Sequence, residues 1–258
     1  MLGLVLGALI SIPLVSKPSI AIITISGAIL EQAYADDILD ALRDARDDDS
    51  IRAVVLQIDS PGGEASVVEQ IYQDVLRLRG QKPIVASIGA RGASGGYYIA
   101  VAANFIYAQP TSQLGSIGVW SSLPEPEELD EDILTSGLFK ATGGSRRKAV
   151  AKLEMVRQEF VEAVMSQRGN RLKLSDEELS LAELYSGVAG LRYGLIDDIG
   201  TVTAAIQKAA SLAGIRNYEV VKLYIPEPFI VIFFFDMEEL KSQTGLMPAY
   251  YYLYFESE

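Results

Sequence analysis

The chain has 258 residues, 49% of them hydrophobic and 9% aromatic, enough to bury a large core as one domain with an appendage and too apolar for a disordered chain. Its formal net charge of −12 opposes nucleic acid as a partner, because an acidic surface repels phosphate. The absence of any histidine or cysteine excludes an imidazole base, a thiol nucleophile, a disulfide and a zinc site of the usual Cys/His kind, and leaves the redox compartment open.

Residues 1–16 carry no charged side chain and are rich in Leu, Ile, Val and Gly. They are shorter than the ~20 residues needed to span a bilayer and no Lys or Arg precedes them, so residues 1–18 are expected to form a short or truncated membrane anchor. A buried strand or helix is the plain alternative.

From residue 19 the pattern alternates. A β-branched run over 20–25 predicts a strand, and the stripe Ile38, Leu39, Leu42 and Ala45 predicts a helix over 35–46. A second strand over 51–58 ends in Asp59-Ser60-Pro61-Gly62-Gly63. An amphipathic helix with Val67, Val68, Ile71, Val75 and Leu78 follows. A third strand over 84–88 leads into Arg91-Gly92-Ala93-Ser94-Gly95-Gly96 and an apolar helical segment, and residues 105–108 predict a fourth strand. Strands alternating with helices of this length imply right-handed βαβ units and a largely parallel sheet covered on both faces.

The two glycine turns carry the chemistry. Gly92, Ser94 and Gly96 fit the G-x-S-x-G pattern of a nucleophile elbow, in which a strand-to-helix turn exposes a serine hydroxyl. The plain alternative is that Ser94 caps the helix. Without histidine its base must be a lysine, a carboxylate or an amino terminus, and lysine fits best because burial disfavours an ammonium. The Gly62-Gly63 turn lacks the Gly-Lys-Ser ending of a phosphate loop; its N–H groups can instead face a developing oxyanion, or form an ordinary turn.

Downstream, residues 111–120 alternate small and apolar side chains and predict a groove-lining or exposed strand. Six carboxylates within residues 124–132 predict a solvated loop with no metal-ligand spacing, and Arg146, Arg147 and Lys148 a solvated helix start. Leu153, Val156, Phe160 and Val164 mark a long helix ended by Gly169. Ser175 and Glu178 form a capping box, residues 194–197 begin a short strand and turn, and the last clear helix covers 202–213.

Taken together, DSPGG at 59–63, ASGGYYIA at 93–100, GSIGV at 115–119, SGLFK at 136–140 and GLIDDIG at 194–200 closely resemble the signal peptide peptidase A family of membrane-associated serine peptidases with a Ser/Lys dyad. The resemblance covers residues 19–213, which would form the peptidase domain. It implies Ser94 as nucleophile, Lys140 as general base, Ser116 as the serine that helps hold the lysine, and Gly63 and Gly95 N–H groups as oxyanion donors. It further implies an α/β fold of the Clp-protease and crotonase type, a ββα superhelix. Subunits of such proteins form a homo-oligomeric ring in which a lysine can serve a neighbour's serine. The implied task is endoproteolysis of remnant signal peptides or other apolar membrane segments through an acyl-enzyme, with no cofactor or metal. The catalytic domain would then lie on the extracytoplasmic side of a membrane.

Three other readings fit parts of the pattern: a stomatin-linked membrane protease, an acyl-CoA hydratase or thioesterase of the same fold, and a non-catalytic membrane scaffold. Residues 214–258 are an apolar and aromatic extension beyond the resemblance. FIVIFFF at 229–235 and the aromatic run at 249–255 are too short to span a bilayer and are expected to form core strands, with subunit contacts or substrate grooves as alternatives, before a frayed tail at 256–258.

Overall fold

Three β-branched runs build the centre of a parallel sheet: β1 (Ser19–Ser26), β2 (Ile51–Ser60) and β4 (Ile84–Ala93), with β1 and β4 paired to either side of β2. Such nearly continuous apolar strands are what a sheet buried on both faces requires. The computed structural model describes residues 17–123, 136–137, 139–140, 143–225 and 250–253. The expected anchor at 1–16, the acidic stretch at 124–132, the run at 229–235 and the tail at 256–258 lie outside the described residues.

Helix α1 (Gln32–Asp47) joins β1 to β2. After β2 comes β3 (Gly62–Glu64), then α2 (Ala65–Arg79) and β4. The short α3 (Gly95–Val101) leads to β5 (Phe105–Ala108) and β6 (Gln113–Gly115). Farther on lie α4 (Arg146–Arg168), α5 (Asp176–Leu179), β7 (Leu184–Ser186), α6 (Gly187–Tyr193), β8 (Asp198–Ile199), α7 (Val202–Leu212), β9 (Glu219–Leu223) and β10 (Tyr251–Leu253).

The main sheet runs β7-β6-β4-β2-β1-β9, with β5 alongside β4 and β8 alongside β5; every pairing in it is parallel except β6–β7. The α/β architecture with a mostly parallel sheet and flanking helices agrees with the sequence reading. The predicted groove strand over 111–120 is shorter than expected: only β6 and an isolated bridge at Trp120 are paired.

Alternation within the strands divides the core. Ile20, Ile22, Ala53, Val55 and Val85 face α7, where Ala205 and Ala209 let the helix approach closely. Ala21, Ile23, Ile25, Val54, Leu56 and Ile58 face the opposite side, against α1, α2 and α3. Caps fix the helix starts. Glu64 accepts the Ser66 and Val67 N–H groups at the head of α2, Ser145 accepts Lys148 N–H at the head of α4, and the predicted Ser175–Glu178 capping box is formed.

A buried ion pair braces the sheet behind α3. Arg168, 2% exposed at the end of α4, donates to both oxygens of Asp197 at 2.9 and 3.0 Å and to the Gly194 carbonyl at 2.7 Å. Asp197 also accepts Ile106 N–H of β5, and the Tyr97 hydroxyl donates to the Leu195 carbonyl at 2.7 Å. Burial alone pushes the Asp197 carboxyl up, but the Arg168 hydrogen bond and charge outweigh it and hold it below its ordinary value. The GLIDDIG stretch therefore acts here as a brace that locks α3 and α4 to β5.

Candidate active site

Ser94 occupies the sharp corner between β4 and α3. Its backbone is at φ 52°, ψ −121°, a region that side-chain-bearing residues rarely adopt and that stores strain. The corner is held by three constraints. Ser94 N–H donates to the Gly115 carbonyl at 2.7 Å, the Ser94 carbonyl accepts Tyr98 N–H at 2.9 Å, and β4 pairs with β6 through Gly92–Leu114 and Ala93–Gly115. Although Ser94 stands at the N-cap position, its side chain caps nothing. The helix-cap alternative is thus set aside: the hydroxyl of a 2% exposed serine is left available for another task.

Packing dictates the glycines around it. A Cβ on Gly96 would lie 2.6 Å from the Ser60 carbonyl oxygen, and one on Gly92 would lie 2.9 Å from the Ile88 side chain. The Ser60 hydroxyl in turn donates to the Gly27 carbonyl at 2.6 Å and accepts Gly62 N–H at 3.1 Å, which ties the first glycine turn to β1.

The two glycine turns converge, as neighbouring strand ends of one parallel sheet allow. Gly62, at φ +103°, is so close to the Ser94 corner that a Cβ on it would lie 2.6 Å from Gly95 N. A Cβ on Gly63 would meet the Ile29 carbonyl at 1.9 Å. Gly95 opens α3, where a backbone N–H has no partner within the helix. The DSPGG stretch, read from sequence as a turn that either faces an oxyanion or is an ordinary one, runs into strand β3, which the sequence reading missed because two glycines carry no β-propensity.

What fills the cleft between the turns is the chain's own segment at 250–253. β10 pairs antiparallel with β3, Tyr252 opposite Gly63. On its other side Tyr251 exchanges both backbone hydrogen bonds with Trp120, at 3.0 and 3.2 Å, and the two rings stack with centroids 4.7 Å apart. Ala65 N–H donates to the Tyr250 carbonyl at 2.8 Å, so the two-residue period of an antiparallel ladder directs Gly63 N–H to the Tyr252 carbonyl. That carbonyl oxygen lies against both turns, 1.8 Å from a Cβ on Gly62 and 3.0 Å from one on Gly95.

The Tyr252 side chain is fully buried between Tyr98 and Phe160, its ring edge-on to theirs at centroid distances of 5.1 and 5.0 Å. Its hydroxyl lies 3.1 Å from both Glu69 Oε1 and the Val156 carbonyl oxygen. Burial pushes the Glu69 carboxyl up; the Tyr252 hydroxyl lowers it, Glu159 and Glu64 add to the rise, and Lys152 opposes it. An open groove of about 780 Å³ borders this pocket from outside, between α2 and α4, lined by Glu69, Tyr72, Tyr98 and Glu159 among others. It lies away from Ser94, whose own cleft is occupied by β10.

The remaining residues singled out from sequence are placed differently. Ser116 is half-buried directly after β6, at φ 51°, with its N–H on the Glu183 carbonyl at 2.8 Å. Lys140 is exposed, in a turn where its N–H donates to the Gly137 carbonyl at 3.1 Å, and no hydrogen bond joins it to Ser94 among the described residues. The fold thus brings together Ser94, Gly63 and Gly95, with Ser116 one residue past the Gly115 carbonyl that holds Ser94. Among the described residues no hydrogen bond links Lys140 to any of them. Among the described residues no group of three or more acidic side chains is placed to hold a metal ion.

Comparison with known proteins decides the family. The profile of peptidase family S49 matches residues 77–216, more than half of the chain and including the Ser94 corner. The chain belongs to peptidase family S49. It is 32% identical to Protease 4 of Haemophilus influenzae over 231 residues, covering 81% of this chain and 37% of that protein. It is 28% identical to a putative protease of Methanocaldococcus jannaschii, covering 83% of this chain and 68% of that one. A putative signal peptide peptidase of Enterococcus faecium is 28% identical over 184 residues, 66% of this chain and 54% of its own length. The S49 chain described here therefore spans under two-fifths of the Haemophilus relative. In fold it resembles a membrane-bound stomatin-specific protease, with a TM-score of 0.54 at 17% identity, over 81% of this chain and 99% of that one.

Proposed function

We propose that this S49 chain is a serine endopeptidase acting through an acyl-enzyme, with Ser94 as nucleophile and Lys140 as its general base. The observation that carries the reading is the Ser94 corner: strained at φ 52°, fixed by backbone bonds and with a hydroxyl that caps nothing. Strain kept at one serine beside two converging glycine turns is costly unless the geometry is used.

In the proposed sequence neutral Lys140 accepts the Ser94 proton as Oγ attacks a peptide carbonyl. Gly63 and Gly95 N–H groups receive the oxyanion, the lysine returns the proton to the leaving amine, and water then releases the acyl group from Ser94. Each donor to the oxyanion is worth about 3 kcal/mol in comparable acyl transfer. Ser116 would orient the lysine. With Lys140 exposed, its side chain would reach a serine once the subunits of a homo-oligomer close around it, from the same protomer or from a neighbour.

Substrates would be extended apolar peptides, remnant signal peptides among them, since a strand laid between β3 and Trp120 supplies backbone bonds without demanding charge. Residues 19–213 would carry the peptidase domain, 1–18 would attach it to a membrane and 214–258 would serve the cleft and subunit contacts, with catalysis on the extracytoplasmic side. Among the described residues no helix is long and apolar enough to cross a membrane.

The test is hydrolysis of a quenched fluorescent apolar peptide. Ser94→Ala and Lys140→Ala are each expected to lower kcat/KM by at least about a thousandfold, as in dyad and triad knockouts. Full activity in both variants would end the proposal.

A further inference from the structure

Ser60 lies between the two glycine turns and is fully buried, although it is polar. A Cβ on Gly96, in the Ser94 turn, would meet the Ser60 carbonyl oxygen at 2.6 Å, while the Ser60 hydroxyl faces the other turn. That hydroxyl both gives and receives a hydrogen bond: it donates to the Gly27 carbonyl at 2.6 Å and accepts Gly62 N–H at 3.1 Å. The loop after β1 and the Pro61-Gly62-Gly63 turn are thereby pinned together at one atom.

The consequence falls on the next peptide unit. With Gly27 held against Gly62, Ile29 lies beside Gly63 in a parallel bridge: Ile29 N–H donates to the Gly62 carbonyl and the Ile29 carbonyl accepts Glu64 N–H, both at 2.9 Å. A trans peptide points its C=O and its N–H in opposite directions. Because Ile29 takes the Gly62 carbonyl, the Gly63 N–H of the same unit is turned away from Ile29, toward the cleft beside Ser94. Reversing this unit rotates ψ of Gly62 and φ of Gly63, and neither residue has a Cβ to resist the rotation. The reversed unit would aim a carbonyl oxygen where an oxyanion develops and would leave the buried Ile29 N–H unpaired. β10 holds the same turn from the cleft side, and Ser60 holds it from the sheet side whatever strand the cleft contains.

We infer that Ser60 is a positioning residue for the oxyanion donor: its hydroxyl keeps the Gly62–Gly63 peptide oriented with Gly63 N–H toward Ser94. The turn is then set for acyl transfer before a substrate arrives. The inference rests on the proposed peptidase reading for its catalytic consequence, and the orientation of the peptide is tested separately.

The experiment compares the full chain with Ser60→Ala and Ser60→Cys. Hydrolysis of the quenched fluorescent apolar peptide, followed across pH, separates kcat from KM. Ser60→Ala is expected to lower kcat by about tenfold to a hundredfold, less than a deleted oxyanion donor costs, because the donor is loosened and not removed. KM should stay within about twofold and the pH profile, which is set by the base, should keep its midpoint. Ser60→Cys fills the same place with a weaker donor and acceptor and is expected to fall between Ser60→Ala and wild type. Backbone amide exchange measured by NMR needs no turnover. In Ser60→Ala, Ile29 N–H, whose hydrogen bond is to Gly62 and not to Ser60, is expected to exchange at least about tenfold faster. Ser94 N–H, bonded to the Gly115 carbonyl, should keep its wild-type rate.

Wild-type kcat in Ser60→Ala, a loss carried by KM, or unchanged exchange at Ile29 would each overturn the inference. Equal acceleration at Ile29 and Ser94 would show a general loosening and would overturn it too. Selective acceleration at Ile29, in a protein whose wild type hydrolyses no peptide, would uphold the held orientation and count against the peptidase reading instead. If Ser60→Ala does not fold, Ser60→Cys carries both measurements, and wild-type values in it would overturn the inference.

Discussion

Ser94 and Lys140, the two halves of the proposed dyad, sit in opposite physical settings. Ser94 is buried at a corner whose backbone is held by bonds to Gly115 of β6 and Tyr98 of α3. Lys140 lies exposed in a turn where its N–H donates to the Gly137 carbonyl and Gly143 N–H donates to the Phe139 carbonyl. The difference teaches which part of the site the monomer's own folding secures. A nucleophile needs its backbone fixed to within a fraction of an ångström. A lysine on a flexible stem can be delivered later, by another element or another subunit.

The sharpest way to exploit this contrast is to separate the two halves. Ser94→Ala and Lys140→Ala chains, each inactive alone, are expected to regain a measurable share of wild-type hydrolysis when refolded together if the lysine serves a neighbour's serine. Absence of any recovery in mixed assemblies, confirmed by native mass spectrometry, would place both halves of the dyad within one protomer.

Breaking the brace behind Ser94 should give the next largest effect. Arg168→Leu leaves the buried Asp197 carboxylate without its main partner and is expected to destabilise the fold by roughly 3–5 kcal/mol. Denaturant unfolding measures it. Lys140→Ala, at an exposed position, should shift stability by less than about 0.5 kcal/mol. A comparable loss in both would contradict the contrast.

Two carboxyls give smaller effects of opposite sign. Asp197 is held below the ordinary aspartate value of about 3.9, so its contribution is present above that pH and fades as pH falls through its lowered folded-state value. Glu69 is pushed up by burial, so its contribution is full below the ordinary glutamate value of about 4.3 and is lost as pH rises through its raised folded-state value. Melting temperatures from pH 3 to 8 should show the acid-side loss diminish in Asp197→Asn and the higher-pH loss diminish in Glu69→Gln.

The sheet was legible because its signal is local: the runs at 20–25, 51–58 and 84–88 became β1, β2 and β4, and Ser94 fell where a strand-to-helix turn was expected. Gly63 and Gly95 were legible as candidates, and the cleft brings them together through the geometry of parallel strand ends. β3 and β10 were not paired from sequence. Their partners are nearly 190 residues apart, and a glycine pair shows no strand pattern. The contact between Glu69 and Tyr252 was hidden for a similar reason. Glu69 reads as one polar position on an amphipathic helix until Tyr252, from a distant segment, sets a hydroxyl against it. Lys140 was singled out by the family resemblance alone, and among the described residues no hydrogen bond joins it to Ser94.

The measurement that bears most directly on the central claim is intact-protein mass spectrometry after fluorophosphonate treatment of wild type, Ser94→Ala and Lys140→Ala. A single adduct on wild type, mapped to Ser94 and abolished by both substitutions, is the expected result. An adduct that persists in Ser94→Ala, or one on wild type that maps to a different serine, would contradict it.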